Sequence, residues 1–335
     1  MTSPFPSNGR ASPRRRVIAF LKRHLRSWYV GLVLLLGLVL IVTHLGELES
    51  FARLARNAEP RWLLAALGFQ LLTYVSAAAV WHQILRHAKV GLSLRALVPL
   101  GIAKLFSDQA LPSGGVSGAG FFIAALRRRG VAPELCMATL VLDLVTYYFA
   151  YLSLALVSLG LLWLYHAVQA WVIVLVGAFC AVALLIPAGL LVVQRRGYRL
   201  FAPLLKYWPR LAQFFEEVGH APGHLMRSPS LLLRATALQA AIFLLDAATL
   251  WVLLQAIGLE VSYWVALPSF VIASIIATLT PVPLGLGTFE TGCVAMLTLL
   301  GVPLEAALTA TLLLRGMTLW LPMLPGLWFA RRALR

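Results

Sequence analysis

The feature that most restricts how this chain can fold is a series of eight long apolar runs. They occupy about residues 28–43, 62–84, 96–126, 134–160, 168–193, 231–257, 264–300 and 305–330. A helix needs roughly 20 apolar residues to cross the hydrocarbon core of a bilayer, and the runs reach or approach that length. Only 12% of the 335 residues are charged, whereas soluble domains carry about 25%. The sequence therefore predicts an all-α polytopic membrane protein and excludes a soluble globular domain.

Two of the runs, 96–126 and 264–300, are interrupted near their middle by proline and glycine. Proline removes a backbone donor and glycine weakens a helix, so a break at membrane depth must be satisfied by protein or by a watery cavity. We predict that each run forms a re-entrant hairpin of two half-helices; a kinked spanning helix or a pair of full spans is the alternative. Backbone N–H groups at such breaks can bind phosphate, although close packing also explains glycine. The candidate substrate contacts are Pro112, Gly114, Gly115, Gly118, Pro283, Gly285 and Gly287.

Basic residues form short clusters between the runs and give the chain a net charge of +16. The positive-inside rule then predicts cytoplasmic N- and C-termini, with about six spanning helices and one hairpin opening from each side. In this topology 23 of the 28 Lys and Arg are cytoplasmic, including Arg127, Arg128 and Arg129 at the mouth of the first hairpin. Clusters of this kind suit anionic lipid head groups, and no nucleic acid partner is expected.

The predicted organisation is a basic cytoplasmic tail, 1–27, followed by a single transmembrane domain, 28–335. Within the second half of the domain, the stretch 194–230 mixes aromatic and basic residues. This composition predicts an amphipathic helix on the cytoplasmic surface, with an ordinary loop as the alternative.

An internal repeat relates the two halves of the transmembrane domain. Pro112 recurs as Pro283, 171 positions later, and Gln70 recurs as Gln239, 169 positions later. We therefore predict two inverted repeats, about 28–160 and about 168–330. Inverted repeats with broken helices are a recurring architecture of secondary transporters, whose substrate site lies near the bilayer midplane.

Ionisable side chains within the apolar runs are functional candidates, because each costs about 2.5–3.5 kcal/mol to insert. Asp143 and Arg315 each lie nine residues into helices that enter from opposite faces, which places both near the midplane. We predict a pairing among Arg315, Asp143 and Glu290, with a purely structural ion pair as the alternative. No metal or cofactor is expected, because no ligand spacing or Walker pattern is present. The candidates are Lys104, Asp108, Asp143, Asp246, Glu290 and Arg315.

Two motifs resemble the flippase-like transmembrane domain of the lysylphosphatidylglycerol synthase family. The first is Leu111-Pro112-x-Gly114-Gly115-x-x-Gly118 with Arg127-Arg128-Arg129-Gly130-Val131; the second is Pro281-x-Pro283-x-Gly285-x-Gly287-x-x-Glu290 with Gly301-Val302-Pro303 and Leu312-Leu313-Leu314-Arg315. The family includes the membrane half of the multiple peptide resistance factor and stand-alone proteins associated with hopanoid or glycolipid pathways. The resemblance covers nearly the whole chain after the tail. It implies lipid translocation between leaflets of a bacterial-type cytoplasmic membrane.

The chain also departs from the family pattern. Members often carry Glu in the first hairpin and Arg in the next helix, where this sequence has Ala119 and Leu144. Because the chain ends at Arg335, directly after its last run, we expect no synthase domain and no enzymatic activity. Two alternatives stay open: an enzyme acting on polyprenyl-phosphate lipids, and a non-transporting scaffold. The expected partners are anionic lipids and, in addition, a second copy or lipid-biosynthesis enzymes.

Overall fold

A computed structural model describes residues 59–110, 116–196, Leu225 and 228–333. Four features predicted from the sequence fall wholly or largely outside these residues: the tail 1–27, the first spanning helix 28–43, the break residues Pro112, Gly114 and Gly115, and the connector 194–230. The described part is helical, with short turns between helices and no strand within it.

Ten α-helices, α1 to α10 in chain order, make up the described part. They are α1 (Pro60–His87), α2 (Leu94–Ala110), α3 (Val116–Arg127), α4 (Pro133–Leu164), α5 (Ala170–Arg196), α6 (Pro229–Ala256), α7 (Tyr263–Leu279), α8 (Thr288–Leu299), α9 (Leu304–Arg315) and α10 (Met323–Ala333).

Among the described residues, five stretches are long and apolar enough to cross a membrane: α1, α4, α5, α6 and the composite Leu304–Ala333. Proline opens α1, α4 and α6, where its missing N–H costs nothing because the first turn has no acceptor for it. Large apolar side chains such as Leu64, Val174 and Leu185 point outward, as a lipid-facing surface requires. The prediction of a polytopic α-helical membrane protein is confirmed.

Both interrupted runs form two half-helices that pack against each other, α2 on α3 and α7 on α8. In the second hairpin the halves approach closely at Gly292. A Cβ there would lie 2.7 Å from Ile276 Cδ1 and 3.2 Å from Ala273 Cα. The break between α7 and α8 is a 3₁₀ turn, Pro283–Gly285. A single kinked helix is therefore wrong for both runs.

The last run differs from the single helix expected over 305–330. Helix α9 ends at Arg315, a π-helical turn follows over Gly316–Trp320, and α10 begins at Met323. Pro322 and the backbone bond from Leu321 N–H to the Gly316 carbonyl, 2.9 Å, account for the wider turn. Turns of this kind occur frequently at functional sites.

The helices in the two halves of the chain have matching lengths. Helices α1 and α6 have 28 residues each, α2 and α7 have 17 each, and α3 and α8 have 12 each. Helix α4 has 32 residues and the composite Leu304–Ala333 has 30. The matching helices α1 and α6 pack along each other.

In the described part of the chain, the buried apolar side chains form two clusters. One surrounds the second hairpin and contains Tyr151 and Leu314. The other surrounds the first hairpin and contains Trp81 and Leu142. Each hairpin is thus embedded in its own apolar surroundings.

Candidate functional site

Arg315 holds the tip of the second hairpin from the end of α9. Its Nε donates to Glu290 Oε1 at 2.6 Å, and its Nη2 donates to the carbonyl of Leu284 at 2.9 Å. The guanidinium also lies 5.0 Å from the centroid of the Phe289 ring. Only 13% of the Arg315 side chain and 19% of the Glu290 side chain are exposed. Most of the surface of this ion pair is therefore buried inside the protein.

Glu290 uses its second carboxylate oxygen at the start of α8. Oε2 accepts the backbone N–H of Gly287 at 2.7 Å. The first N–H groups of a helix have no partner within the helix, and a carboxylate there also interacts favourably with the helix dipole. Glu290 thus joins the N-terminus of one half-helix to a cation from another element.

The backbone of the hairpin tip adopts left-handed conformations. Leu284 has φ 60° and Gly285 has φ 61°. A non-glycine residue in this region carries about 1–3 kcal/mol of strain, so Leu284 must be held by its surroundings. Arg315 does this through the Leu284 carbonyl. A Cβ at Gly285 would lie 2.6 Å from Ala277 Cβ, so the turn also requires the missing side chain.

The first hairpin has a related arrangement built from different elements. Asp108, on α2, accepts from Lys104 Nζ at 3.1 Å and from the backbone N–H of Gly118 at 2.8 Å. A Cβ at Gly118 would overlap the Asp108 carboxylate. Ser117 Oγ donates to the Ser107 carbonyl at 2.9 Å. In both hairpins a carboxylate therefore binds a cation and the N-terminus of the second half-helix.

Asp143 does not join Arg315 and Glu290, which corrects that part of the predicted pairing. Its Oδ1 accepts from Gln239 Nε2 at 2.8 Å, and this bond links α4 to α6. Its neighbour Leu142 belongs to the apolar cluster around the first hairpin, whereas Leu314, next to Arg315, belongs to the other cluster. The two charges are thus in different parts of the interior.

Asp246 lies at the contact between α6 and α1. Thr73 Oγ1 donates to Asp246 Oδ1 at 3.5 Å. Two further polar side chains of α1, Gln70 and Tyr74, are 2% and 6% exposed. Polar side chains therefore lie along the contact between α1 and α6.

Sequence reasoning did not identify Leu284, Thr73, Gln70 or Gln239 as site residues. The carbonyl of Leu284 and the hydroxyl of Thr73 act through contacts that no pattern in the sequence indicates. For the two glutamines a signal was available, because Gln70 recurs as Gln239 in the internal repeat. A repeated amide in apolar sequence indicates a buried polar contact.

The basic triplet lies at the open end of the first hairpin. Helix α3 ends at Arg127, and all three arginines are exposed. Arg129 Nη1 donates to the Ala125 carbonyl at 2.9 Å. Arg129 also lines a pocket of about 380 Å³ between α2, this hairpin end and α10, whereas Arg127 and Arg128 do not line it. Among the described residues, no group of three or more His, Cys, Asp or Glu could hold a metal ion.

Comparisons with known proteins relate this chain to membrane proteins. Residues 28–326 match the family described as "Lysylphosphatidylglycerol synthase TM region". The chain is also similar to a protein described as "UPF0104 membrane protein" from Methanothermobacter thermautotrophicus. The two are 22% identical over 312 residues, which cover 87% of this chain and 90% of the relative. The family match includes both hairpins and Arg315. This multi-pass membrane protein therefore belongs to the family of lysylphosphatidylglycerol synthase transmembrane regions.

Proposed function

We propose that this protein moves a lipid, or a lipid-linked amphipath, between the leaflets of a bacterial-type cytoplasmic membrane. The observation that carries the proposal is the buried Arg315–Glu290 pair at the tip of a broken hairpin. A buried ion pair is a weak source of stability, because desolvating the two charges offsets their attraction. Intramembrane charges are instead a common property of substrate pathways. Membership of a membrane-lipid family supports the same reading.

In the proposed mechanism an anionic head group exchanges with Glu290 on Arg315. A guanidinium has five N–H donors in a planar fork that fits phosphate, and Glu290 and Leu284 engage two of its nitrogens. When phosphate replaces the Glu290 carboxylate at Nε, the start of α8 loses its link to Arg315, and Nη2 of Arg315 keeps its bond to the Leu284 carbonyl. This loss favours an open hairpin tip while the head group is bound and a closed tip after its release.

The matching helices support two structural repeats, which we propose are inverted and provide alternating access. Helices α1 and α6 begin at Pro60 and Pro229, 169 residues apart, and α2 and α7 begin at Leu94 and Tyr263 with the same separation. We propose that the first hairpin opens toward the cytoplasm and the second toward the outside, with both termini cytoplasmic. A substrate would then pass from one hairpin to the other near the midplane.

The proposed transport of lipid involves no catalytic step. The acids of the described interior have separate partners rather than forming one cluster. Asp108 binds Lys104, Asp143 binds Gln239, and Glu290 binds Arg315. An enzyme acting on polyprenyl phosphates needs several acids around one reacting phosphate, so these contacts favour transport. The proposed partners are anionic lipids, with a second copy or lipid-biosynthesis enzymes as protein partners.

The test is a leaflet-exchange assay with purified protein in liposomes. NBD-labelled phosphatidylglycerol and NBD-labelled phosphatidylcholine serve as probes, and external dithionite reports the labelled lipid that reaches the outer leaflet. We expect exchange of phosphatidylglycerol by the wild type and at least a tenfold slower rate for Glu290→Gln and Arg315→Leu, since charge-assisted contacts are worth about 1.5–3 kcal/mol.

Glu305→Gln is the matched control. It makes the same change at an exposed acid in the first turn of α9 and should keep the wild-type rate. Equal exchange by the wild type, both site variants and protein-free liposomes would reject transport of this lipid class. Equal exchange of both probes would reject selection by head-group charge.

A further inference from the structure

Three arginines from separate elements converge on one pocket at the open end of the first hairpin. Arg95 lies in the first turn of α2, Arg129 follows α3, and Arg332 lies in the last turn of α10. The pocket has a volume of about 380 Å³, which is within the usual range of about 300–1,000 Å³ for ligand sites. None of the described residues that line it is acidic. Three like charges around one cavity favour an anion between them.

The rest of the lining is apolar. Pro99, Leu100 and Phe329 belong to it, and Leu100 is only 1% exposed. A lining of three arginines and apolar side chains fits a ligand that is charged at one end and apolar at the other. It does not suit a fully hydrated inorganic ion, which has no apolar part to place against these side chains.

Close packing and local contacts hold the walls of the pocket. A Cβ at Gly326 on α10 would lie 2.5 Å from Phe106 Cβ and 3.0 Å from the Ile102 carbonyl, so α10 packs tightly on α2. The Arg332 guanidinium lies 5.4 Å from the centroid of the Trp328 ring. Trp328 is 56% exposed, as expected of an aromatic residue at the membrane–water interface.

We propose that this pocket binds the phosphate group of an anionic phospholipid, with Arg95, Arg129 and Arg332 around the phosphate and the start of the acyl chains against Leu100 and Phe329. Guanidinium groups bind phosphate oxygens in a fork geometry, and basic pockets between membrane helices bind lipid head groups. A zwitterionic choline head group is disfavoured because its cation would face three arginines.

The inference rests on the proposed function for the choice of a lipid as occupant. Binding is measured without transport, so the two can fail separately. We expect a factor of about five in affinity for each arginine, from about 1 kcal/mol per basic residue near a membrane surface. Replacing all three should therefore weaken binding roughly a hundredfold.

The experiment is native mass spectrometry of the full chain with equimolar phosphatidylglycerol and phosphatidylcholine. The wild type should retain phosphatidylglycerol preferentially. The triple variant Arg95→Gln/Arg129→Gln/Arg332→Gln should lose this preference. The control Arg86→Gln/Lys89→Gln/Arg331→Gln removes the same charge from exposed residues that do not line the pocket, and should keep it.

Ala333→Trp provides a second variant that leaves every charge in place. Ala333 lines the pocket at the end of α10, where we expect a larger side chain to fill the cavity. It should also lose the preference, which decides the question if the triple variant does not fold. Equal loss in the control, or retention by both pocket variants, would overturn the site. Displacement of phosphatidylglycerol by millimolar inorganic phosphate would overturn the lipid as its occupant.

Discussion

Arg315 Nε lies 2.6 Å from Glu290 Oε1, although 25 residues separate the two along the chain. The contact joins the end of α9 to the first turn of α8, at the ends of these helices that are away from their connecting turn. It places the cation where it also binds the Leu284 carbonyl, inside the broken segment. The tip of the second hairpin therefore depends on the docking of α9, which couples any movement of the tip to the last spanning segment.

The first prediction concerns the stability of this pair. Arg315→Leu leaves Glu290 buried without its cation, and removing one partner of a buried pair costs about 3–5 kcal/mol. Arg315→Leu combined with Glu290→Gln should recover part of that loss, because the uncompensated charge is gone. Thermal unfolding of the single and double variants in detergent measures the difference. A double variant at least as unstable as Arg315→Leu would contradict the argument.

A second prediction tests the cap of the first hairpin. Gly118→Ala places a methyl group against the Asp108 carboxylate and should destabilise the protein by about 1–3 kcal/mol through the lost N–H contact. Gly120→Ala is the control, since a Cβ at Gly120 meets no atom within 4 Å. Chemical unfolding should separate the two variants, and identical midpoints would show that Asp108 does not cap α3.

The third prediction concerns the left-handed turn in the second hairpin. Gly285→Ala forces a side chain into a residue with φ 61° and into contact with Ala277, so we expect a loss of about 1–3 kcal/mol and slower lipid exchange. Gly316→Ala, at a helical position with open space, should be neutral or slightly stabilising. Both are compared by unfolding and by leaflet exchange. Wild-type behaviour of Gly285→Ala would mean that the tip has a different backbone.

A fourth prediction tests the topology. With Cys136, Cys180 and Cys293 replaced by Ser, single cysteines at the exposed positions Ala132 and Glu305 report the two hairpin ends. We expect an impermeant maleimide applied from outside to label Glu305→Cys and to leave Ala132→Cys unlabelled until the membrane is permeabilised. Labelling of both positions from the same side would contradict opposed hairpins.

The helical, membrane-spanning character of the chain followed from its sequence. Apolar runs long enough to cross a bilayer are expected to be helical, because backbone polar groups in lipid have to be paired within a helix. The positions of both helix breaks were also predictable, since proline and glycine act locally on the backbone. A pairing among Arg315, Asp143 and Glu290 was predicted because few ionisable residues occur at membrane depth, and the structure joins Arg315 to Glu290 alone of the two acids. The π-helical turn after Arg315 was missed, since its hydrogen-bond pattern depends on how α9 and α10 are held by neighbouring helices.

Only the tertiary structure decided which charges meet. Asp143 and Glu290 are both acids within apolar runs, yet one binds Gln239 and the other binds Arg315. The same holds for the arginine pocket, in which Arg95, Arg129 and Arg332 come from distant parts of the chain. The physical reason is one of scale. Hydropathy and backbone breaks act within one helix, whereas an ion pair or a pocket needs two or three helices with a particular rotation and packing. The sequence determined which charged residues lie in the apolar runs and where the helices end. Helix packing determined which residues those charges bind.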